Sequence, residues 1–326
     1  MLRWGIISTG TIAKKFAQTL TALKGEVVFG GVASRDLEKA QSFATEYGAL
    51  KAFGSYEEMA ASQDIDAIYI ATPNKFHFEN TMLCLENGKH VLCEKPFTTN
   101  ANDARKLYAF AKSKNLLVMD GLWTMHIPMY KKIKELIAEG AIGELVHVRA
   151  EYGFSPTGAR KDFKMDPTLG GGSLLDVGIY NVGFVAMLLG VMPLAVYAHL
   201  GFGAYDTDQL ATALLAYPGG VTASVTSSIG AKMPQEGVIF GTEGRIILPN
   251  YQSCTQGTLQ PTEGEPTHYE LPFDVNGFEY QVREFGKTVA AGLVESSQLT
   301  EDFSVGVLQI LDNIRKAGGL TYDFEG

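Results

Sequence analysis

Hydrophobic positions in the first part of the chain follow two alternating rhythms. Short apolar runs lie at Leu2–Ile7, Glu26–Ala33, Asp66–Ala71, His90–Cys93 and Leu116–Met119. Between them apolar residues recur at helical spacing, as at Ile12, Phe16, Leu20 and Leu23, or at Phe78, Met82 and Leu85. The runs predict strands buried on both faces, and the spaced positions predict amphipathic helices. Helices are expected over Asp36–Tyr47, from Asn74 and over Asn100–Lys114, with a shorter one opened by a Ser55/Glu58 capping box. Regular strand–helix alternation predicts a doubly wound parallel sheet of the Rossmann kind.

The rhythm changes after about residue 122. A helix near Ile127–Glu139, a strand over Glu144–Phe154 and a helix near Ser173–Leu189 are followed by successive strands from Leu194 to about Leu259. These strands are separated by turns such as Tyr217-Pro218-Gly219-Gly220, and two helices close the chain near Asn276–Ala291 and Glu301–Ala317. Strands in succession predict antiparallel pairing. The expected organisation is an α/β protein, with a nucleotide-binding domain over 1–122 and an α+β domain over 123–326. Two domains also suit 326 residues.

Composition narrows the function classes. The chain is 46% hydrophobic and 19% charged, with a net charge of −9 and no Lys/Arg-rich run, which argues against a nucleic-acid partner. The longest apolar runs fall short of the roughly 20 residues of a membrane span, and Met1–Gly5 enters a strand with no signal-peptide pattern. Cys84, Cys93 and Cys254 form no paired spacing, and no CxxC, HExxH or histidine cluster is present. A cytoplasmic protein with neither disulfide framework nor metal site is expected.

Candidate chemistry collects where strands end. In Gly5–Ala13, Ser8, Gly10 and Ala13 take the three positions of G-x-G-x-x-G/A. Ser8, Thr9, Gly10, Thr11 and Ile12 are thus placed where a dinucleotide pyrophosphate meets a helix N-terminus. With Ser in the first position, an ordinary tight turn is the competing reading. The second strand runs into Ser34 and Arg35 with no carboxylate at its end, and Lys39 follows a helical turn later. A hydroxyl and two cations suit a 2′-phosphate, so NADP is favoured and NAD is the alternative; a solvated helix start is the plainer reading. Thr72-Pro73-Asn74 and Glu94-Lys95-Pro96 end two further strands at the same sheet edge. Lys95, extended by the following proline, is a catalytic candidate or else a surface lysine.

Gly170-Gly171-Gly172 leads into a helix on which Asp176 and Tyr180 are spaced to share a face. Oxidising an alcohol requires a proton acceptor, and a nearby lysine favours a tyrosine phenolate. Lys95 with Tyr180 would form such a pair and Asp176 would orient it, although the spacing equally fits a structural tyrosine and a surface aspartate. Tyr108/Lys112 and Tyr47/Lys51 match Y-x-x-x-K but read as structural.

Together, Gly5–Ala13, Ala71–Asn74 with His77 and Glu79, Glu94-Lys95-Pro96, and Gly170–Gly172 with Asp176 and Tyr180 resemble the Gfo/Idh/MocA oxidoreductase family over nearly the whole chain. Tyr180 where many members have His, together with Ser8 and Trp123, resembles its NADP-dependent dihydrodiol/D-xylose dehydrogenase branch. The resemblance implies Lys95 near the nicotinamide, Tyr180 as acid/base and Asp176 in support. It implies His77, Trp123 and Phe154 as pocket residues, a Lys95–Pro96 bond that is often cis, and a large open sheet pairing with its counterpart in a homodimer or higher oligomer. The function expected is hydride transfer between a sugar, polyol or vicinal diol and the nicotinamide. A non-catalytic NADP(H)-binding sensor or scaffold and a keto-sugar (anhydrofructose-type) reductase are the alternatives.

Overall fold

A computed structural model describes residues 1–325. Its contacts resolve two compact units. The first comprises Met1–Thr98, Asn102–Trp123 and Asp274–Glu301; the second comprises Thr99–Ala101, Thr124–Phe273 and the chain from Asp302 onward.

The first unit is built on β1 (Arg3–Ile7), α1 (Thr11–Ala22), β2 (Val28–Ala33), α2 (Leu37–Tyr47), β3 (Lys51–Phe53), α3 (Tyr56–Ala61), β4 (Ala67–Ile70), α4 (His77–Glu86), β5 (His90–Glu94), α5 (Ala101–Ser113) and β6 (Val118–Gly121). The strands lie in the order β3-β2-β1-β4-β5-β6, and every neighbouring pair is parallel. This is the doubly wound arrangement the alternation predicts. Strand order reverses between β1 and β4, and ligands of such sheets bind at that point, beyond the carboxyl ends of the strands. Local sequence explains the helix ends. Asp36 accepts the Lys39 amide at 3.2 Å to cap α2, and Gly48 closes it at φ 79°. Ser55 caps α3 through the Glu58 amide at 3.1 Å, while the Glu58 carboxylate reaches back to the Gly54 amide at 3.0 Å.

The second unit contains α6 (Pro128–Ala138), β7 (Leu145–Gly153), α7 (Ala159–Met165), α8 (Ile179–Leu189), β8 (Ala195–Phe202), β9 (Asp208–Ala216), β10 (Thr222–Ser228), β11 (Glu236–Gly241), β12 (Gly244–Pro249), β13 (Gln256–Pro261) and β14 (Thr267–Glu270). Of the two last helices, α9 (Glu279–Ala290) belongs to the first unit and α10 (Glu301–Gly318) to the second. The eight strands form one open sheet in the order β14-β13-β12-β11-β7-β10-β9-β8, parallel at β7–β10 and antiparallel elsewhere. Helices cover one face. Gly178 and Asn181 meet Ala211, Ala213, Val225 and Ile314, and Met129 reaches Gly257.

Three features depart from the sequence reading. A single boundary at 122/123 omits the return of Asp274–Glu301 to the first unit. That segment completes an aromatic core: Phe285 stands 4.7 Å from Trp4, Phe16 stacks on Tyr69 at 3.7 Å, and Phe278 lies 6.4 Å from Phe16. Helix α7 was not anticipated, because Met165 is its one buried residue and leaves no apolar stripe. Finally, the helical stretch Pro167–Leu189 is long and apolar enough to cross a membrane, contrary to the sequence reading, but 78% of the qualifying window is buried inside the fold.

Candidate active site

In the first unit, the loops after β1, β2, β4 and β5 emerge at one sheet edge because those strands are adjacent and parallel. Ser8 adopts a left-handed φ of 108°, where glycine is the usual residue, and its amide donates to the Ala33 carbonyl at 3.0 Å. Its hydroxyl accepts the Gly10 amide at 3.1 Å. Gly10 is the exposed N-cap of α1; no side chain caps that helix and no acid occupies its first turn. Thr9, Gly10, Thr11 and Ile12 therefore front amides suited to an anion, so the residues present fit a dinucleotide pyrophosphate.

The end of β2 differs in one respect from expectation. Asp36 lies two residues after Ser34, but its carboxylate is engaged as the α2 cap, and the Lys39 amide holds it below the ordinary carboxylate range. Lys39 lies 3.4 Å from Asp36, but both side chains are exposed, a pairing that holds the ammonium only loosely. Ser34 accepts the Asp36 amide at 3.3 Å. Arg35 is exposed, and its charge is felt by the Tyr56 hydroxyl. Ser34, Arg35 and Lys39 thus leave a hydroxyl and two cations near the β2 end.

Thr72, Pro73 and Asn74 are half-buried at the β4 end, where the Asn80 amide donates to the Thr72 hydroxyl at 3.1 Å. His77 is no pocket wall. It is 1% exposed, its Nδ1 lies 2.8 Å from the Pro96 carbonyl and its Nε2 lies 2.9 Å from the Thr72 carbonyl. The ring therefore ties the β4 loop to the β5 loop, and burial holds its pKa below the ordinary value. Glu94 is likewise turned inward. Tyr69 donates to one of its oxygens and the Lys95 amide to the other at 3.2 Å, and burial raises its pKa against the opposing charges of Lys95 and Lys15. Lys95 is half-buried, joined to Pro96 by a cis bond, with the charge of Glu94 and the His77 ring as neighbours.

Trp123, expected as a substrate contact, is 5% exposed and packs 5.2 Å from Phe278. The Lys15 ammonium sits 4.3 Å from the Trp123 ring centre and 4.1 Å from that of Phe278, and desolvation lowers its pKa. The sequence reading missed Lys15, which looks like a solvent-facing residue of α1. The two Y-x-x-x-K matches are structural, as expected. Tyr108 packs 5.1 Å from Phe97, Lys112 pairs with Glu301 at 2.6 Å, and Lys51 pairs with Asp64.

In the second unit, Gly170–Gly172 lead into a π-helical turn, Leu174–Gly178, which continues as α8. Such turns recur at functional sites because they re-aim side chains within a helix. Asp176 lies in the π turn and Tyr180 in the first turn of α8, where an unbroken α-helix was expected. Asp176 is 9% exposed and accepts from Lys164 at 2.6 Å. Tyr180 is half-buried, 6.0 Å from the ring of Tyr152. Phe154 packs with Tyr152 on Met165, Val177 and Ile229, and the Arg160 guanidinium lies 5.5 Å above its ring. At the head of the turn, Ser173 and the Leu174 amide both donate to buried Asp208 at 2.7 Å. Lys164 and Asp208 were missed from sequence, since each lies in a segment with no motif of its own.

Comparison with known proteins agrees with this arrangement. Residues 2–122 match the family described as oxidoreductases with an NAD-binding Rossmann fold, and residues 130–247 match the GFO/IDH/MocA C-terminal domain. The chain is 35% identical to trans-1,2-dihydrobenzene-1,2-diol dehydrogenase of Homo sapiens over 98% of each chain. It is 34% identical to the protein of that name from Xenopus laevis, over 98% of this chain and 99% of the other. Among solved structures it is similar to a 3-ketoreductase from Actinomadura kijaniata in complex with NADP and TDP-benzene. That match has a TM-score of 0.88 and 27% identity, over 97% of this chain and 98% of the other.

Proposed function

Because the chain belongs to the Gfo/Idh/MocA family of oxidoreductases, we propose that it is an NADP-dependent dehydrogenase acting on a vicinal diol or sugar hydroxyl. The observation that carries this reading is the likeness to trans-1,2-dihydrobenzene-1,2-diol dehydrogenases, which runs the length of both chains. The residues fit it. Gly10 and the uncapped start of α1 would receive the pyrophosphate, and Ser34 and Arg35 the 2′-phosphate. Thr72–Asn74 and Lys95 would flank the rest of the dinucleotide. The relative solved with NADP supports the same choice of cofactor.

When bound, NADP supplies the two-electron acceptor for hydride leaving the carbinol carbon. The protein manages the proton. Tyr180 takes it from the hydroxyl as the carbonyl forms and returns it in the reverse direction. A phenol near its ordinary pKa of about 10 is a weak base at neutral pH, so a cation must favour the phenolate, and Lys95 is assigned that task. Asp176 orients the hydroxyls.

The test is NADPH formation with aldoses, inositols and cyclic trans-diols, repeated for Lys95→Ala and Tyr180→Phe. Loss of turnover by at least about 100-fold in each is expected. Unimpaired turnover in both would remove the assignment.

Two further parts of the reading concern setting. We assign a homodimer formed through the uncovered face of the eight-stranded sheet, where the cross-strand neighbours Tyr197 and Leu214 are 64% and 43% exposed. Sedimentation velocity of Leu214→Glu should show a monomer if this face is the interface. We also assign the protein to the cytoplasm, a reading supported by three buried free cysteines and tested by fractionation.

A further inference from the structure

The segment before the glycine turn closes on itself. The Asp166 carbonyl accepts from the Leu169 amide at 3.2 Å and from the Gly171 amide at 2.9 Å. The Asp166 carboxylate accepts the amide and hydroxyl of Thr168 at 2.8 and 2.6 Å. The Lys164 carbonyl accepts the Gly172 amide at 2.9 Å. A Cβ on Gly171 would stand 2.7 Å from the carbonyl oxygens of both Lys164 and Asp166, so glycine here admits the backbone of α7 rather than a ligand.

This turn has one consequence for side chains. It returns the end of α7 to the π turn and sets the Lys164 ammonium 2.6 Å from Asp176 Oδ1. The two side chains are 24% and 12% exposed, so both charges are largely withdrawn from water. Exposed pairs contribute little and wander, whereas a desolvated pair at this distance holds its partners in one geometry. Hydrophobic burial does not account for the arrangement, because Met165 is the one buried residue of α7.

We propose that Lys164 is a positioning residue of this enzyme: it fixes the Asp176 carboxylate, as an anion in a single orientation, for its work on the substrate hydroxyls. The role rests on the dehydrogenase reading above. Lys164 acts through Asp176 and needs no contact with substrate of its own.

The test uses the full-length protein with NADP and either trans-1,2-dihydrobenzene-1,2-diol or D-xylose. Lys164→Met and Lys164→Arg are each measured alone and combined with Asp176→Asn. Lys164→Met should lower kcat roughly 10- to 100-fold with the KM for NADP unchanged, and Lys164→Arg should recover most of the loss. In the Asp176→Asn background, Lys164→Met should lower kcat no further. An equal loss in both backgrounds overturns the proposal, because Lys164 would then act on its own. So does a drop in thermal stability with kcat intact, which would mark a structural pair. Absence of turnover in the unaltered protein sinks the dehydrogenase reading and this role together; turnover indifferent to Lys164→Met sinks this role alone.

Discussion

Asp208, wholly buried at the start of β9, receives the Ser173 hydroxyl at 2.7 Å, and Ser173 heads the helix that carries Asp176 and Tyr180. Two donors on one carboxylate oxygen do not offset the loss of water, and burial raises the Asp208 pKa from 3.8 to about 6. The unfolded chain therefore releases this proton at lower pH than the folded one. Stability from this group is greatest below about pH 4, declines as pH rises towards about 6, and is level above that. Asp208→Asn cannot ionise. Its melting temperature should gain on that of the unaltered protein between pH 4 and 6, by an amount equivalent to roughly 2 kcal/mol. Parallel melting curves across that range would show that Asp208 does not titrate there.

Gly171→Ala tests the close approach of α7 to the glycine turn. The added methyl meets two carbonyl oxygens at 2.7 Å, and neither belongs to a side chain that can swing away. A cost of about 1–3 kcal/mol is expected in urea unfolding, as for other overpacked sites. Gly10→Ala makes a useful contrast, since its Cβ would meet Ser8 Oγ at 3.4 Å and nothing closer. It should cost less stability, while lowering NADPH affinity.

His77→Phe keeps the ring volume and removes both polar contacts. With its pKa held low the ring is neutral and carries one N–H, so one of the Thr72 and Pro96 carbonyls loses its donor, at about 1–3 kcal/mol. Beyond that loss of stability, the β4 and β5 loops are freed from one another. NADPH binding, followed by fluorescence quenching, should weaken about tenfold or more. Unchanged affinity in the folded variant would confine His77 to a stability role.

Arg35→Ala separates the two dinucleotides. Arg35 is exposed at the β2 end and directly follows Ser34, so it is a cation available to a 2′-phosphate there. Its loss should raise the KM for NADP by about 10- to 100-fold, which corresponds to roughly 1.5–3 kcal/mol for a charge-assisted bond, and leave the KM for NAD nearly unchanged. A parallel change in both constants would place the 2′-phosphate elsewhere.

The first unit was legible in sequence because each of its longer strands is apolar throughout and each helix has a spaced apolar face. The strand β3, three half-exposed or exposed residues, carries no such signal. Its pairing with β2 appears only when the sheet is assembled. The return of α9 was unreadable for another reason. Val282 and Phe285 announce an amphipathic helix, but periodicity does not say which core the helix will cover. The π turn was hidden because Leu174–Gly178 is buried all round, leaving no stripe whose phase could betray an extra residue. The candidate site residues follow the same division. Gly10, Lys95, Asp176 and Tyr180 announce themselves through motifs or strand ends. Lys164 and Lys15 acquire meaning from neighbours distant in sequence, and nothing in their own segments sets them apart from solvated lysines. Trp123, suggested by family likeness, packs as a core ring, and Glu94, suggested by its strand end, is anchored inward, roles that depend on packing the sequence does not display.

The split make-up of the first unit bears on biosynthesis. A ribosome delivers β1 through β6 first, but Phe278 and Phe285, which close over Trp4 and Phe16, come out of the exit tunnel only after the eight-stranded sheet has been made. Until then the nascent chain carries an aromatic surface with no cover. A gene truncated after Trp123 should therefore yield a sticky, chaperone-dependent product rather than an autonomous dinucleotide-binding module.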